Sequence, residues 1–122
     1  MAVCQELGIE TEFVPRIATV FAGGMARNGE ACGAVVGSLM AIGLVHGRND
    51  LKQPEQEAHA LGGQLMRTFH EEMGALRCRD LLGMDLSTPE GLRAFRSSEL
   101  RKTVCLRAVG VAYDKTLGLL RA

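Results

Sequence analysis

Four cysteines, Cys4, Cys32, Cys78 and Cys105, are the residues of this 122-residue chain best suited to chemistry. A thiolate is a nucleophile and a soft metal ligand, and two thiols within reach can form and break a disulfide. Cys32 precedes an apolar, small-residue stretch, Gly33-Ala-Val-Val-Gly-Ser-Leu-Met. That pattern places it at or just inside a helix N-terminus, where unpaired backbone N–H groups and the macrodipole favour a thiolate. Arg27 acts in the same direction and Glu30 against it. The other three cysteines are far apart in sequence. No Cys-x-x-Cys is present, which excludes a zinc ribbon or a thioredoxin-type motif, and no Cys-x-x-Cys-His, which excludes covalent c-type haem. A shared site forms only if the fold gathers these segments; taken singly, each cysteine also reads as a small buried hydrophobe.

Other reactive groups give less. His59 and His70 are eleven residues apart on one helix, about 16 Å at the α-helical rise, too far to share an ion. His46 falls at a helix C-terminus, where a partly cationic ring is comfortable. His70-Glu71-Glu72 lacks the second histidine of a metalloprotease motif, and Gly23-Gly24 with Gly29 lacks the Lys-Ser/Thr ending of a phosphate loop. Met25, Met40, Met66, Met73 and Met84 read as core filler. No Ser-His-Asp arrangement stands out.

The elements that must position the cysteines are helical. Phe13, Ile17, Val20 and Phe21 share a face, with Thr11 as N-cap and Pro15 in the first turn. Gly23-Gly24 ends that helix, and a loop runs through Arg27-Asn28-Gly29. A second helix runs from about Ala31 to His46. Gly33 and Gly37, like Ala34 and Ser38, are four apart, a nearly bare face that lets another helix approach closely. A third helix begins near Pro54, with Ala58, Leu61, Leu65 and Phe69 as its stripe and Gly62-Gly63 as a crossing or kink point. A short helix over 76–82 carries Cys78. Ser87-Thr88-Pro89-Glu90 is a helix start. The last helix covers about Glu99 to Leu119, with Leu100, Val104, Ala108 and Val111 in one stripe and Cys105 on its shoulder. The expected fold is an all-α compact bundle of five to seven helices, one domain over residues 1–122, around a buried, small-residue-rich helix from Cys32 to Leu44.

Composition narrows the function. Basic and acidic residues number 14 each, so the chain lacks the basic excess of a nucleic-acid binder. Arg93, Arg96, Arg101 and Lys102 cluster beside Glu90 and Glu99, which reads as a solvated helix face. The longest uncharged stretch, Ala31 to Val45, is too short for a membrane span. No secretory signal opens the chain, so a cytoplasmic location is expected. There structural disulfides are uncommon, and four cysteines point to redox or metal chemistry. Zero net charge favours self-association, and a homodimer using the apolar N-terminal half is expected.

The sequence resembles a family of small redox-active proteins named for a Cys, Gly-Cys-Ala-x-x-Gly, Cys, Cys pattern. The resemblance rests on Phe21-Ala-Gly-Gly-Met-Ala-Arg, Gly29-Glu-Ala-Cys32-Gly-Ala-Val-Val-Gly37, Ile42-Gly-Leu, Gly47, Cys78-Arg-Asp-Leu-Leu-Gly and Cys105. It implies a helical fold and a redox role, with Cys32, Cys78 and Cys105 at the matching positions. A related module accompanies haem domains in split-Soret cytochromes, where an iron–sulfur site has been suggested. One departure is visible: the family's first cysteine lies well upstream of a Glu-Leu-Gly stretch, whereas Cys4 directly precedes Gln5-Glu6-Leu7-Gly8. Relative to the family the chain reads as truncated at its start, or Cys4 stands in from one to two turns away. The leading expectation is thiol/disulfide chemistry, with Cys32 attacking and Cys78 or Cys105 resolving. Its rivals are a metal or iron–sulfur module on Cys32, Cys78, Cys105 and Cys4, and a structural protein whose cysteines are inert.

Overall fold

The uncharged, small-residue-rich stretch after Cys32 forms a helix, as expected. In the computed structural model, which describes residues 1–122, it forms α3 (Gly33–His46), and the elements before it are α1 (Ala2–Glu6), α2 (Val14–Ala18) and a 3-10 turn, Thr19–Phe21. After it come α4 (Gln56–Met73), α5 (Cys78–Leu82), α6 (Pro89–Arg96), a π-helical turn, Arg101–Cys105, and α7 (Leu106–Arg121). No strand forms, and no helix is long and apolar enough to cross a membrane. The fold is therefore all-α, with seven α-helices.

α3, α4 and α7 pack against one another, and α1 lies on α7. Val35 of α3, Phe69 of α4, and Ala108 and Ala112 of α7 form the central cluster. Leu65 and Phe69 fall on the predicted α4 stripe and are fully buried; each burial is worth roughly 1.5–3 kcal/mol. Small residues on α7 let this bulk approach. A second cluster joins Val3, Ala41 and Leu117, and a third joins Cys78, Leu82 and Leu86. The predicted stripe of the last helix divides between clusters: Ala108 enters the central one, while Leu100 and Val104 pack against the Cys78 cluster.

The sequence reading and the structure differ in four places. α3 is covered on one side only. Val35, Ser38, Ala41 and Ile42 are buried, but Gly37, Gly43, Leu44 and Val45 face solvent. The expected close approach at Gly33–Gly37 is not helical either. A Cβ at Gly33 would stand 3.1 Å from the Phe21 carbonyl oxygen, whereas Gly37 meets nothing. Gly62 does face α3, across Leu39. Secondly, α2 is a five-residue helix whose N-cap is Phe13, not Thr11, because Pro15 must lie in the first turn. Phe13, Ile17 and Val20 point outward at 61, 56 and 63 % exposure. Thirdly, α5 begins only at Cys78, because Arg77 is held extended by an antiparallel bridge to Ala31. Fourthly, the last helix starts one turn wide, as the π turn. The start at Thr88-Pro89 forms as read, with the Gly91 N–H donating to Thr88 Oγ1 at 3.0 Å.

Candidate functional site

Cys32 and Cys78 are brought together by backbone, not by helix packing. The Cys32 N–H donates to the Leu76 carbonyl at 2.9 Å, and the Cys78 N–H donates to the Glu30 carbonyl at 2.8 Å. These bonds flank the Ala31–Arg77 bridge. In an antiparallel pair the residues opposite one another share a face. Cys32 opposite Leu76 and Glu30 opposite Cys78 therefore lie on one face, with the two cysteines as diagonal neighbours. Such diagonals are spaced about 7–8 Å, with side chains nearer, so a disulfide between them needs one segment to shift inward by about 1 Å. Arg79 fastens the same junction, its N–H bonding the Gly29 carbonyl at 3.2 Å and its guanidinium the Asn28 carbonyl at 2.7 Å.

Cys32 is the N-cap of α3, ahead of a 14-residue helix. Cys78 opens α5 and is buried. Cys105 closes the π turn, is half-buried, and packs against the Cys78 cluster. π turns concentrate at functional sites, because the extra residue per turn redirects a side chain. All three thiols line one cavity of about 790 Å³, with Leu82, Leu86 and Phe95 among its apolar walls. All four cysteines are free thiols. Cys4 is not in this wall; it is buried on α1.

The segment over Cys78 is unusual. Gly23, Gly24, Met25, Ala26 and Arg27 all have φ between 51° and 69°, five consecutive residues in the left-handed region. For a non-glycine residue this costs roughly 1–2 kcal/mol. It persists because the turn is tied down: the Ala26 N–H bonds Val20, Arg27 bonds Ala22, Gly29 bonds Gly23 and Glu30 bonds Gly24. A Cβ on Gly24 would stand 2.6 Å from Cys78 Cβ and 2.5 Å from the Glu30 carbonyl oxygen. The bare backbone of Gly24 thus forms the lid directly over Cys78. Neither this contact nor the 31–77 bridge has a signal in the sequence beyond the Gly23-Gly24 and Asn28-Gly29 pairs that mark a loop.

The thiols feel one another. Burial, then the charge of Cys32, then that of Cys105, push the Cys78 thiol up to about 11. Burial and then the Cys32 charge raise Cys105, and Arg101 partly offsets them. At neutral pH both are neutral thiols. No three His, Cys, Asp or Glu side chains stand together at ligating spacing, and the fourth sulfur lies on α1 outside the cavity. The histidines are elsewhere: His59 and His70 are exposed, and His46 faces Glu57 at 3.4 Å.

No curated protein and no solved structure matches this chain. Residues 1–119 match the family model described as "Putative redox-active protein (C_GCAxxG_C_C)", and the chain belongs to that family.

Proposed function

We propose that the cavity carries out thiol–disulfide exchange, with Cys32 as the attacking thiolate and Cys78 as the resolving thiol. The reading rests on the short antiparallel junction, which makes these two cysteines diagonal neighbours on one face. In the first step the Cys32 sulfur attacks one sulfur of a disulfide substrate; a mixed disulfide forms, and the other half leaves as a thiolate. In the second, Cys78 gives its proton to solvent and attacks the Cys32 sulfur, closing Cys32–Cys78 and expelling the remaining thiolate. Two protein thiols are oxidised and one substrate disulfide is reduced to two thiols. The first step eases the second. Burial is the larger cause of the raised Cys78 pKa, but the Cys32 charge is the next, and it vanishes once Cys32 is in a mixed disulfide. Cys105, on the facing π turn, is the third thiol of the cavity and the alternative partner.

Mild oxidation followed by non-reducing peptide mass mapping tests this. A Cys32–Cys78 linkage is expected. Cys78→Ser should stall at the mixed disulfide on Cys32, Cys32→Ser should abolish both products, and Cys105→Ser should leave them. A linkage through Cys105 moves the resolving role there, and thiols that stay free in the folded protein overturn the reading in favour of inert cysteines. Anaerobic preparation with stoichiometric iron or zinc would overturn it in favour of the metal-binding alternative.

The proposal includes a second copy of the chain. Its support is the outward apolar row Phe13, Ile17 and Val20, one to two turns apart, in a molecule whose zero formal charge sets up no repulsion between copies.

A further inference from the structure

The basic cluster that reads as a solvated face in the sequence divides in the structure. Arg93 pairs with Glu90 at 3.8 Å, and Lys102 with Glu99 at 3.8 Å. Arg96 and Arg101 have no carboxylate partner, nor does Arg27 on the left-handed turn, and all three line the thiol cavity. Glu99 is the one carboxylate in the cavity lining and is already paired. A chain of zero net charge therefore places three unpaired guanidiniums around its three thiols. They come from two separate parts of the chain, the turn before α3 and the α6–π segment. Guanidiniums left unpaired around a mainly apolar cavity draw anions into it, and Arg is the side chain shaped to hold a carboxylate by two bonds. The volume of about 790 Å³ falls in the range of small-molecule sites, roughly 300–1,000 Å³.

We infer that the substrate is a small disulfide bearing carboxylates, its acid groups held by Arg27, Arg96 and Arg101 while its sulfurs meet Cys32. This rests on the exchange reading and names its substrate class. The reaction is the one above: the carboxylated disulfide is the oxidant, it leaves as two carboxylated thiols, and Cys32–Cys78 is the oxidised product. The arginines only bind and orient.

Three disulfides of similar size separate the possibilities: 3,3′-dithiodipropionate (dianion), bis(2-hydroxyethyl) disulfide (neutral) and cystamine (dication). Each rate of thiol loss is divided by the rate with dithiothreitol, which removes intrinsic leaving-group differences. The dianion is expected to lead the dication by about tenfold or more at low salt. The advantage should shrink in 0.5 M salt and in Arg96→Gln/Arg101→Gln. Both side chains are exposed, so the variant should fold. Equal normalised rates would overturn the charge inference and leave exchange standing; no reaction with any of the three would overturn exchange itself. Alkylation asks the charge question without redox chemistry. Relative to free cysteine, iodoacetate should gain on iodoacetamide at Cys32, and the gain should fall in the double Gln variant. No gain would count against the arginines whatever the redox result.

Discussion

At the scale of single residues, three thiols in one cavity are not equivalent. Cys78 is buried and lies beside two other sulfurs, which holds its proton to about pH 11. Cys105 is raised by burial and by Cys32, with Arg101 in opposition. Only thiolates alkylate quickly. Between pH 7 and 8, iodoacetamide should therefore label Cys32 well ahead of Cys78 and Cys105, read by peptide mass mapping. Labelling of Cys78 should still be climbing at pH 10. Cys78 labelled as fast as Cys32 at pH 7.5 would contradict this order. Stability has the matching sign. A thiol whose folded pKa is raised favours folding below the ordinary thiol range and loses that contribution as pH climbs toward the folded value. The midpoint in urea should fall between pH 9 and 11, and less so in Cys78→Ser.

At the scale of elements, the thiols are positioned by a two-residue bridge and a left-handed turn, and the helices serve as their supports. Gly24 is where this arrangement is tightest. Gly24→Ala meets both the left-handed φ, about 1–2 kcal/mol, and an overlap with the Cys78 side chain and the Glu30 backbone. We expect it to lower stability by at least about 2 kcal/mol and to slow formation of the Cys32–Cys78 disulfide, measured by urea melts and by mass mapping. Gly83, also at positive φ but with no atom near its missing Cβ, is the control. Gly83→Ala should cost only the backbone term and leave the chemistry alone. If both variants behave alike, the turn does not position Cys78.

At the scale of the whole molecule, α3, α4 and α7 enclose the core, while α2 and the outer face of α3 leave apolar side chains in solvent. Pairing with a second copy across Phe13, Ile17 and Val20 should show as a dimer in sedimentation at micromolar concentration. Ile17→Ser/Val20→Ser should convert it to a monomer without loss of helicity. A stable wild-type monomer under those conditions sinks the pairing.

The longer helices were legible in the sequence because each depends on neighbours three or four residues away, whereas the five-residue α1 gave no such signal. The α4 stripe through Leu65 and Phe69, the Thr88-Pro89 start and the apolar α3 follow from period and capping alone. The thiols of Cys32, Cys78 and Cys105 could be nominated singly, by residue type and by resemblance. Their convergence could not be read, because residues 30–32 and 76–78 meet through backbone hydrogen bonds, and any residue type but proline can make those. The outward turn of Phe13, Ile17 and Val20 was likewise hidden. A periodic apolar face shows that residues lie on one side of a helix, not what that side meets. Charge pairing had the same limit: Glu90 and Arg93, three apart on one helix, pair as spacing alone suggests, but only the folded chain sets the unpaired Arg27, Arg96 and Arg101 in the wall of the thiol cavity, because they come from separate segments.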